Sequence, residues 1–276
     1  MSALSQVANS VPPHARMREA CEKLKSFSSA LVALSGGVDS GLVLKLAVDA
    51  LGAHRVVAAT ARSVFFTQEE MESAKAVAGQ LGVRHCWLDM HPLEEADIAQ
   101  NSLERCYFCK RHLVEALTAL KAQLALDVIL DGSNAEDALE HRPGRRALQE
   151  GKVYSVLAQA GFSKQEVRAA SLHAGLPNWN RPQAACLATR IPHGEALDAA
   201  TLERVGRAEA ALRQLGLQVF RVRHHGNMAR LEIESKAFAW LVDAEFRAQC
   251  IRAVQQAGYL FVTADLEAFE LKKQRV

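Results

Sequence analysis

The sequence predicts an α/β fold in which a doubly wound parallel sheet is followed by a smaller α+β domain. Two observations predict the sheet: short apolar runs alternate with helical patterns through the first half of the chain, and the first of these runs ends in a turn rich in glycine and serine. The turn-rich stretch 177–182 then interrupts the helical pattern. We therefore predict a first domain over residues 1–180 and a second over residues 181–276.

The helices of the first domain follow from apolar residues at helical spacing. They are predicted over about 13–27, over 39–51 from Leu42, Val43 and Leu46, over 67–81 from Met71, Ala74 and Ala78, and over 110–124. Apolar or β-rich runs between them predict strands at 31–34, 55–61, 83–88 and 128–130. Strands separated by helices of this length are parallel, and ligands collect at their carboxyl ends.

The second domain is predicted as a compact module that begins with an amphipathic helix over 199–216. Strands at 218–223 and 228–234 form a hairpin, a helix covers about 236–257, and a strand follows at 259–263.

Composition is that of an ordinary globular protein. The 276 residues are 49% hydrophobic and 23% charged, and the formal charge of +2 gives no reason to expect a nucleic-acid or membrane partner. No apolar run approaches the length of a bilayer span, and the start of the chain lacks the pattern of a secretory signal, so we expect a cytoplasmic protein. In that compartment, clustered cysteines favour a metal site or catalysis.

The turn Ser35 to Ser40 lies between the first predicted strand and its helix. Gly36 and Gly37 permit close approach and positive φ, and the hydroxyls of Ser35 and Ser40 add donors. The helix start adds unpaired N–H groups and a partial positive charge. The turn, which includes Asp39, is therefore predicted to bind phosphate; a capped helix without a ligand is the alternative.

Two other polar segments follow predicted strands at the same edge of the sheet. Thr60 to Ser63 can offer main-chain groups to an adenine or ribose. Gly132 and Ser133, with Asp137, can contact the sugar and α-phosphate region or carry Mg²⁺ through a carboxylate. Together with the phosphate turn, these segments predict a nucleotide site, although solvated loops would show the same composition.

The cysteines form the second signal. Cys106 and Cys109 make a C-x-x-C pair in a segment that we expect to be a mobile loop, and Cys186 lies far downstream. Three thiolates can hold an iron–sulfur cluster, or a zinc ion if His112 is the fourth ligand, and a redox pair is a weaker interpretation. The other three cysteines lie in apolar patterns and are predicted to be core residues: Cys21, Cys86 and Cys250.

The hexapeptide Ser35 to Ser40 resembles the pyrophosphate loop (PP-loop) of the ATP pyrophosphatases, which cleave ATP between its α- and β-phosphates. Further blocks resemble the LarE family, the ATP-dependent sulfur transferases of nickel-pincer cofactor synthesis. These blocks are residues 132–137 followed by 142–144, residues 186–192 and residues 221–226. The similarity runs in order from about residue 16 to residue 270.

That resemblance implies a reaction. A carboxylate of a pyridinium-3,5-biscarboxylic acid mononucleotide attacks the α-phosphate of ATP, pyrophosphate leaves, and a sulfur nucleophile displaces AMP to give a thiocarboxylate. In one branch of the family the cysteine that matches Cys186 gives up its own sulfur. The additional Cys106 and Cys109 imply instead a [4Fe-4S] cluster on all three cysteines, with an open iron for hydrosulfide. The family also implies a homo-oligomer, with the second domain as an interface; the sulfur donor is not implied.

Arg221 and Arg223 are two positions apart in a predicted strand and so lie on the same face, where both guanidiniums can bind one phosphate. An exposed basic face is the alternative, and the resemblance favours binding of the substrate phosphate. Glu209 is a weaker candidate for a second metal. His224 and His225 are candidates for catalysis, although a hairpin end often carries histidine for no chemical reason.

Three other functions stay open at this point. PP-loop proteins also thiolate tRNA, some with a C-x-x-C pair and a third cysteine, but a tRNA-binding protein would be expected to show a basic face. A non-catalytic nucleotide sensor would bind ATP without releasing pyrophosphate. An amidotransferase-type relative would need an ammonia source that this chain does not contain.

Overall fold

The computed structural model describes residues 13–137, 143–182 and 185–269. Arg142, which belongs to one of the blocks quoted above, lies outside the described residues. Contacts divide the chain into two compact units. The first contains residues 1–62, 68–90 and 106–183, and the second contains residues 63–67, 91–105 and 184–276.

Two short segments from the first half of the chain, residues 63–67 and 91–105, therefore belong to the second unit. A single domain boundary at residue 180 does not include them. Hydrogen bonds explain their place. The N–H of Leu187 donates to the carbonyl of Phe65 at 3.0 Å, and the N–H of Leu197 donates to that of Ala99 at 2.8 Å. The side-chain amide of Asn101 donates to the carbonyls of Pro192 and Glu195 at 2.7 and 3.0 Å.

The elements alternate as predicted through the first half of the chain. In order they are α1 (Pro13–Leu24), β1 (Ala30–Ala33), α2 (Val38–Leu51), β2 (Val56–Arg62), α3 (Gln68–Gln80), β3 (Arg84–Asp89), α4 (Ala96–Ala99), α5 (Arg105–Gln123), β4 (Val128–Leu130), α6 (Pro143–Glu150), α7 (Val156–Gln159) and α8 (Lys164–His173). The second half contributes α9 (Ala199–Gln214), β5 (Phe220–His225), β6 (Met228–Ile233), α10 (Phe238–Val242), α11 (Ala244–Gln256) and β7 (Phe261–Ala264).

The four strands of the first unit form a parallel sheet in the order β3-β2-β1-β4. The chain moves outward from β1 to β3 and then returns to the other side of β1, so the strand order reverses beside β1. In open parallel sheets ligands bind at this switch point, outside the carboxyl ends of the strands. The parallel α/β prediction is confirmed.

Both faces of this sheet are covered. Ala30 and Val32 of β1 belong to a buried cluster that α1, α2, α3, α7 and α8 also build. Leu31, which points to the opposite face because side chains alternate along a strand, packs in a second cluster with Leu117 of α5. Burial on both faces explains why β1 is a continuous apolar run without alternation.

The helix that carries the cysteine pair begins earlier than predicted. α5 begins at Arg105, so Cys106 and Cys109 lie in its first turns, and the expected mobile loop is wrong. The start of the helix is anchored because the N–H of Arg105 donates to the carbonyl of Ser102 at 3.0 Å and its buried guanidinium donates to the carbonyl of Ala188 at 3.1 Å.

The second unit contains a three-stranded sheet in the order β5-β6-β7, antiparallel between β5 and β6 and parallel between β6 and β7. The single helix predicted over 236–257 is two helices, because Asp243 caps α11: its Oδ1 accepts the N–H of Phe246 at 2.6 Å. Within the described ranges, no helix is both long enough and apolar enough to cross a bilayer.

Candidate functional site

The predicted phosphate turn joins β1 to α2 at the switch point of the sheet. Gly36 has φ +78°, in the left-handed region, and a Cβ atom there would lie 2.2 Å from the carbonyl oxygen of Glu70. Gly37 has φ −74°, so the expectation of positive φ is wrong for that residue. Because its N-cap is this glycine, the 14-residue α2 has no side-chain cap, and its first N–H groups are placed to bind an anion.

The two serine hydroxyls stabilise the turn. The N–H of Ser35 donates to Ser40 Oγ at 3.1 Å, the two hydroxyl oxygens lie 3.1 Å apart, and Ser40 Oγ donates to the carbonyl of Gly37 at 3.3 Å. Ser40 is buried. The hydroxyls therefore shape the turn through bonds within it, in addition to any bond that they make to a ligand.

Two residues that the sequence did not single out hold the carbonyl groups of the turn. The side-chain amide of Asn178 donates to the carbonyls of Gly36 and Gly37 at 3.1 and 2.9 Å, and Ser73 Oγ donates to that of Gly36 at 2.8 Å. In a trans peptide the C=O and N–H point in opposite directions, so anchoring the carbonyls orients the next two N–H groups. That of Gly37 donates to Ser35 Oγ at 3.3 Å, and that of Val38 points away from the anchored carbonyl of Gly37. We call this arrangement the carbonyl clamp.

The segment after β4 packs directly on the start of α2. A Cβ atom on Gly132 would lie 2.8 Å from the main-chain nitrogen of Ser40, so only glycine allows this approach. The hydroxyls of Ser133 and Ser155 both donate to the buried Asp131. Two of the three predicted segments therefore lie side by side at the switch point.

The same contact brings two carboxylates near each other. Asn134 donates its amide to Asp39 Oδ1 at 3.0 Å, and its own Oδ1 accepts the N–H of Asp137 at 3.1 Å. Burial, opposed by the Asn134 hydrogen bond and reinforced by the charge of Asp137, raises the pKa of Asp39 above its ordinary value. Lys164 Nζ lies 3.4 Å from Asp137 Oδ1.

These carboxylates suit Mg²⁺. Oxygen donors are what this ion prefers, and it is commonly bound by one or two carboxylates together with phosphate oxygens. A cation would also oppose the two effects that raise the pKa of Asp39, which are burial and then the charge of Asp137. Asp39 and Asp137 are therefore the residues that would hold it.

The third predicted segment is divided between the two units. The Thr60 hydroxyl donates to the carbonyl of Leu34 at 2.7 Å and lies 2.8 Å from His85 Nε2. Since its single proton is donated to Leu34, the His85 ring must donate through Nε2. Burial lowers the pKa of His85, which favours the neutral ring. Ser63 belongs to the second unit, where its hydroxyl accepts the N–H of Phe65 at 3.2 Å.

The cysteine pair lies at the start of α5. Residues three positions apart share a helix face, so Cys106 and Cys109 are on one face, the first exposed and the second half-buried. Across residues 13–137, 143–182 and 185–269, no three His, Cys, Asp or Glu side chains come together to hold a metal ion. The cluster on Cys106, Cys109 and Cys186, and the zinc site with His112, stay predictions from the sequence.

Of the three cysteines predicted in the core, Cys250 is buried. Cys21 and Cys86 are half-buried and pack against the two clusters of the first unit.

Cys186 belongs to the second unit and precedes a short 3₁₀ turn, Leu187–Arg190. Its carbonyl accepts the N–H of Thr189 at 3.0 Å and the hydroxyl of Thr189 at 2.7 Å. The Arg190 side chain is buried and donates through Nε and Nη2 to both oxygens of Glu209, at 2.7 and 3.1 Å. Glu209 is thus the counter-ion of an arginine here, and the prediction that it binds a second metal is not supported by these contacts.

The two arginines of β5 have different surroundings. Arg223 donates to Glu232 at 2.9 Å and to the carbonyl of Thr189 at 2.5 Å. Arg221 is half-buried, and its guanidinium lies 4.6 Å from the centre of the Phe269 ring. Burial, followed by the charges of Arg190 and Arg223, lowers the pKa of Arg221 to about 10. An anion beside Arg221 would reverse that destabilisation.

The two histidines of β5 contact neighbouring side chains. His224 is buried with its Nδ1 at 3.1 Å from the Tyr259 hydroxyl, and burial and Arg204 lower its pKa. His225 Nε2 accepts a hydrogen bond from Arg230 at 3.3 Å. These contacts give both rings a structural part in the second unit.

Comparison with known proteins adds three findings. A family model described as NAD synthase matches residues 14–121. The chain is 36% identical over 247 residues to the pyridinium-3,5-bisthiocarboxylic acid mononucleotide synthase of Lactiplantibacillus plantarum, an alignment that covers 89% of this chain and 88% of that one. It is also 39% identical over 256 residues to an uncharacterized protein of Synechocystis, covering 91% and 95% of the two chains.

Proposed function

Because the chain belongs to the LarE family of ATP-using sulfur transferases, we propose that it converts carboxylates of a pyridinium-3,5-biscarboxylic acid mononucleotide into thiocarboxylates. The relative from Lactiplantibacillus plantarum is named for the bisthiocarboxylic product. The observation that carries the proposal is the carbonyl clamp, which fixes the peptides before α2, a helix without a side-chain cap whose start lies at the switch point of the sheet, where we propose that phosphate binds.

The first proposed step activates the carboxylate. A carboxylate oxygen attacks the α-phosphorus of ATP, the bond from that phosphorus to the bridging oxygen breaks, and pyrophosphate leaves with the electron pair. The acyl adenylate that forms has AMP as a good leaving group. Pyrophosphate is multiply charged, so the N–H groups of the turn Ser35 to Ser40 and the dipole of α2 would stabilise it as it forms.

Mg²⁺ would neutralise phosphate charge when it is bound. Asp39 and Asp137 are the proposed ligands, and Gly132 permits their segments to approach. Main-chain groups near Thr60 are the proposed contacts of the nucleoside, with Ser63 as a further contact and Ser133 beside the sugar.

The second proposed step brings in sulfur. Either the Cys186 thiolate or a hydrosulfide attacks the acyl carbon, and the bond to the AMP oxygen breaks. If Cys186 attacks, a base then removes its Cα proton and the Cβ–Sγ bond breaks, so the thiocarboxylate leaves and dehydroalanine remains. If hydrosulfide attacks, the thiocarboxylate forms directly and Cys186 is not consumed.

We propose Arg221 and Arg223 as the groups that bind the phosphate of the substrate. What supports this is the half-buried place of Arg221 on the same strand as Arg223: burial, followed by the charges of Arg190 and Arg223, lowers the pKa of its guanidinium, and a bound anion would stabilise the charged form. The cluster on Cys106, Cys109 and Cys186 stays a proposal from the sequence. Homo-oligomerisation stays a proposal of the same kind.

The proposal is tested by measuring pyrophosphate release from ATP with and without the pyridinium mononucleotide. We expect release that depends on the substrate and a thiocarboxylate product detected by mass. A Cys186→Ala variant that releases pyrophosphate as the parent does but forms no thiocarboxylate would agree with the two steps. Thiolation of tRNA instead of the mononucleotide, or ATP binding without pyrophosphate release, would overturn the assignment.

The sulfur source is tested separately. Anaerobically purified protein is analysed for iron and acid-labile sulfide, alongside Cys106→Ala, Cys109→Ala and Cys186→Ala, with Cys86→Ala as the control. Loss of iron in the first three variants but not in the control supports a cluster. Iron retained in all three cysteine variants refutes the cluster, and zinc in place of iron supports the zinc site with His112. A chain that loses the mass of hydrogen sulfide after turnover supports sacrifice of Cys186.

A further inference from the structure

The buried pair Arg190–Glu209 has no part in the two proposed steps. The two side chains are only 6% and 3% exposed and meet through two hydrogen bonds. We propose that this pair is a positioning device, which holds the main chain of Cys186 at a fixed place relative to β5, the strand that carries Arg221 and Arg223. The inference rests on the proposed function, because that function makes the place of the Cys186 thiol important.

One end of the device is the main chain around Cys186. Arg190 Nη1 donates to the carbonyl of Ala185 at 3.0 Å, to the carbonyl of Cys186 at 3.4 Å and to the hydroxyl of Thr189 at 3.0 Å. With the two bonds from Thr189, the Cys186 carbonyl receives three donors. The orientation of the peptide that follows Cys186 is thus fixed. This peptide in turn sets the direction of the Cα–Cβ bond that carries the thiol.

The other end is β5. Glu209 Oε1 also accepts the N–H of Val222, at 3.0 Å, and Val222 lies between the two arginines of the strand. Arg223 returns to the turn by donating to the carbonyl of Thr189. The contacts therefore close a ring that runs from the Cys186 turn through Arg190 and Glu209 to β5 and back.

The energetics favour a positioning function over a stabilising one. Burying two charges is costly, so an ion pair in a protein interior adds little net stability compared with well-packed apolar side chains of similar volume. Fixing the register between elements is the best-attested use of such pairs. Arginine suits this place because its planar fork serves a carboxylate and main-chain carbonyls together, which lysine cannot do.

The test compares Arg190→Lys and the double variant Arg190→Met with Glu209→Leu. The double variant removes both buried charges, so it should fold even if a single change does not. Glu203→Gln is the matched control, because Glu203 forms an exposed pair with Arg207 on the same helix. For each protein we measure pyrophosphate released, thiocarboxylate formed, and the rate at which iodoacetamide alkylates Cys186.

We expect both Arg190 variants to release pyrophosphate within about twofold of the parent but to form about tenfold less thiocarboxylate per pyrophosphate, with the control unchanged. A parental yield of thiocarboxylate per pyrophosphate in the folded double variant, or in Arg190→Lys, would overturn the inference. Alkylation needs neither ATP nor substrate, so it separates this inference from the proposed function. A rate in the double variant equal to that of the parent refutes positioning, whereas absent pyrophosphate release in the parent refutes only the function.

Discussion

Replacing Gly36 by alanine tests the geometry of the phosphate turn. Two separate penalties meet at this position: φ is +78°, and a Cβ atom would lie 2.2 Å from the Glu70 carbonyl oxygen and 3.0 Å from the Ala74 nitrogen. Both neighbours are main-chain atoms of α3, which cannot rotate away as a side chain can. Gly82 is the matched control, because its φ is +64° but nothing lies within 4 Å of a Cβ there.

The two variants separate strain from steric conflict. Left-handed backbone costs a non-glycine residue about 1–2 kcal/mol, which is the whole effect expected for Gly82→Ala. Gly36→Ala carries the same strain and an overpacking cost of about 1–3 kcal/mol, so its loss of unfolding free energy should total about 2–5 kcal/mol. Relief of the conflict requires the turn or α3 to shift by roughly 1 Å, a displacement that can lower a rate about a hundredfold.

Urea unfolding of the parent and both variants measures the first effect, and substrate-dependent pyrophosphate release measures the second. We expect Gly82→Ala to keep the parental rate. Equal losses of unfolding free energy in the two variants, or a parental rate in a folded Gly36→Ala protein, would refute this account of the turn.

Three more predictions concern the first unit. Asn178→Asp removes the amide donor of the carbonyl clamp, so the protein should lose two hydrogen bonds of about 1 kcal/mol each and bind ATP about tenfold more weakly in calorimetric titration. Asn180→Asp, at an exposed position nearby, is the control, and equal ATP affinities of the two variants would contradict the clamp. Asp39→Asn should increase the unfolding free energy of the ligand-free protein by about 0.5–2 kcal/mol while weakening Mg²⁺-dependent ATP binding, because it removes a half-buried carboxylate near Asp137; a decrease in unfolding free energy would count against the electrostatic argument. For Glu166, burial alone would raise the pKa, but hydrogen bonds from Ser163 and the Arg16 ion pair outweigh it and lower the pKa below 4.5. Its stabilisation is therefore present above pH 4.5 and is lost as pH falls through the folded-state pKa, so Glu166→Gln should cost about 1 kcal/mol at neutral pH and progressively less in acid; a cost that does not change with pH in urea titrations would exclude this.

The parallel sheet and the phosphate turn could be predicted because both depend on residues close together in sequence. The apolar run of β1 and the helical spacing after it indicate a strand and a helix, and the paired glycines between them need no distant partner to be recognised. The start of α5 was harder to predict because its anchor, the buried Arg105, bonds to Ala188, which lies 83 positions away. A pattern within a short window does not contain that contact.

In the second unit, too, features that depend on nearby residues could be predicted and those that depend on distant contacts could not. Alternation along β5 predicts that Arg221 and Arg223 share a face, and the burial of Phe220, Val222 and His224 confirms it. The partners of those arginines lie on other elements and have no local signature. Asp243 was different, since an N-cap signal was present in the sequence and the long helical pattern around it hid the break.

The carbonyl clamp has a consequence for how the protein is made. The turn at Gly36 is oriented by the amide of Asn178, which is 142 positions later in the chain. A nascent chain therefore carries the complete glycine and serine motif long before it carries the group that aligns its peptides. Since chains are synthesised at about 5–20 residues per second, the amide that aligns the turn is made several seconds after the motif itself.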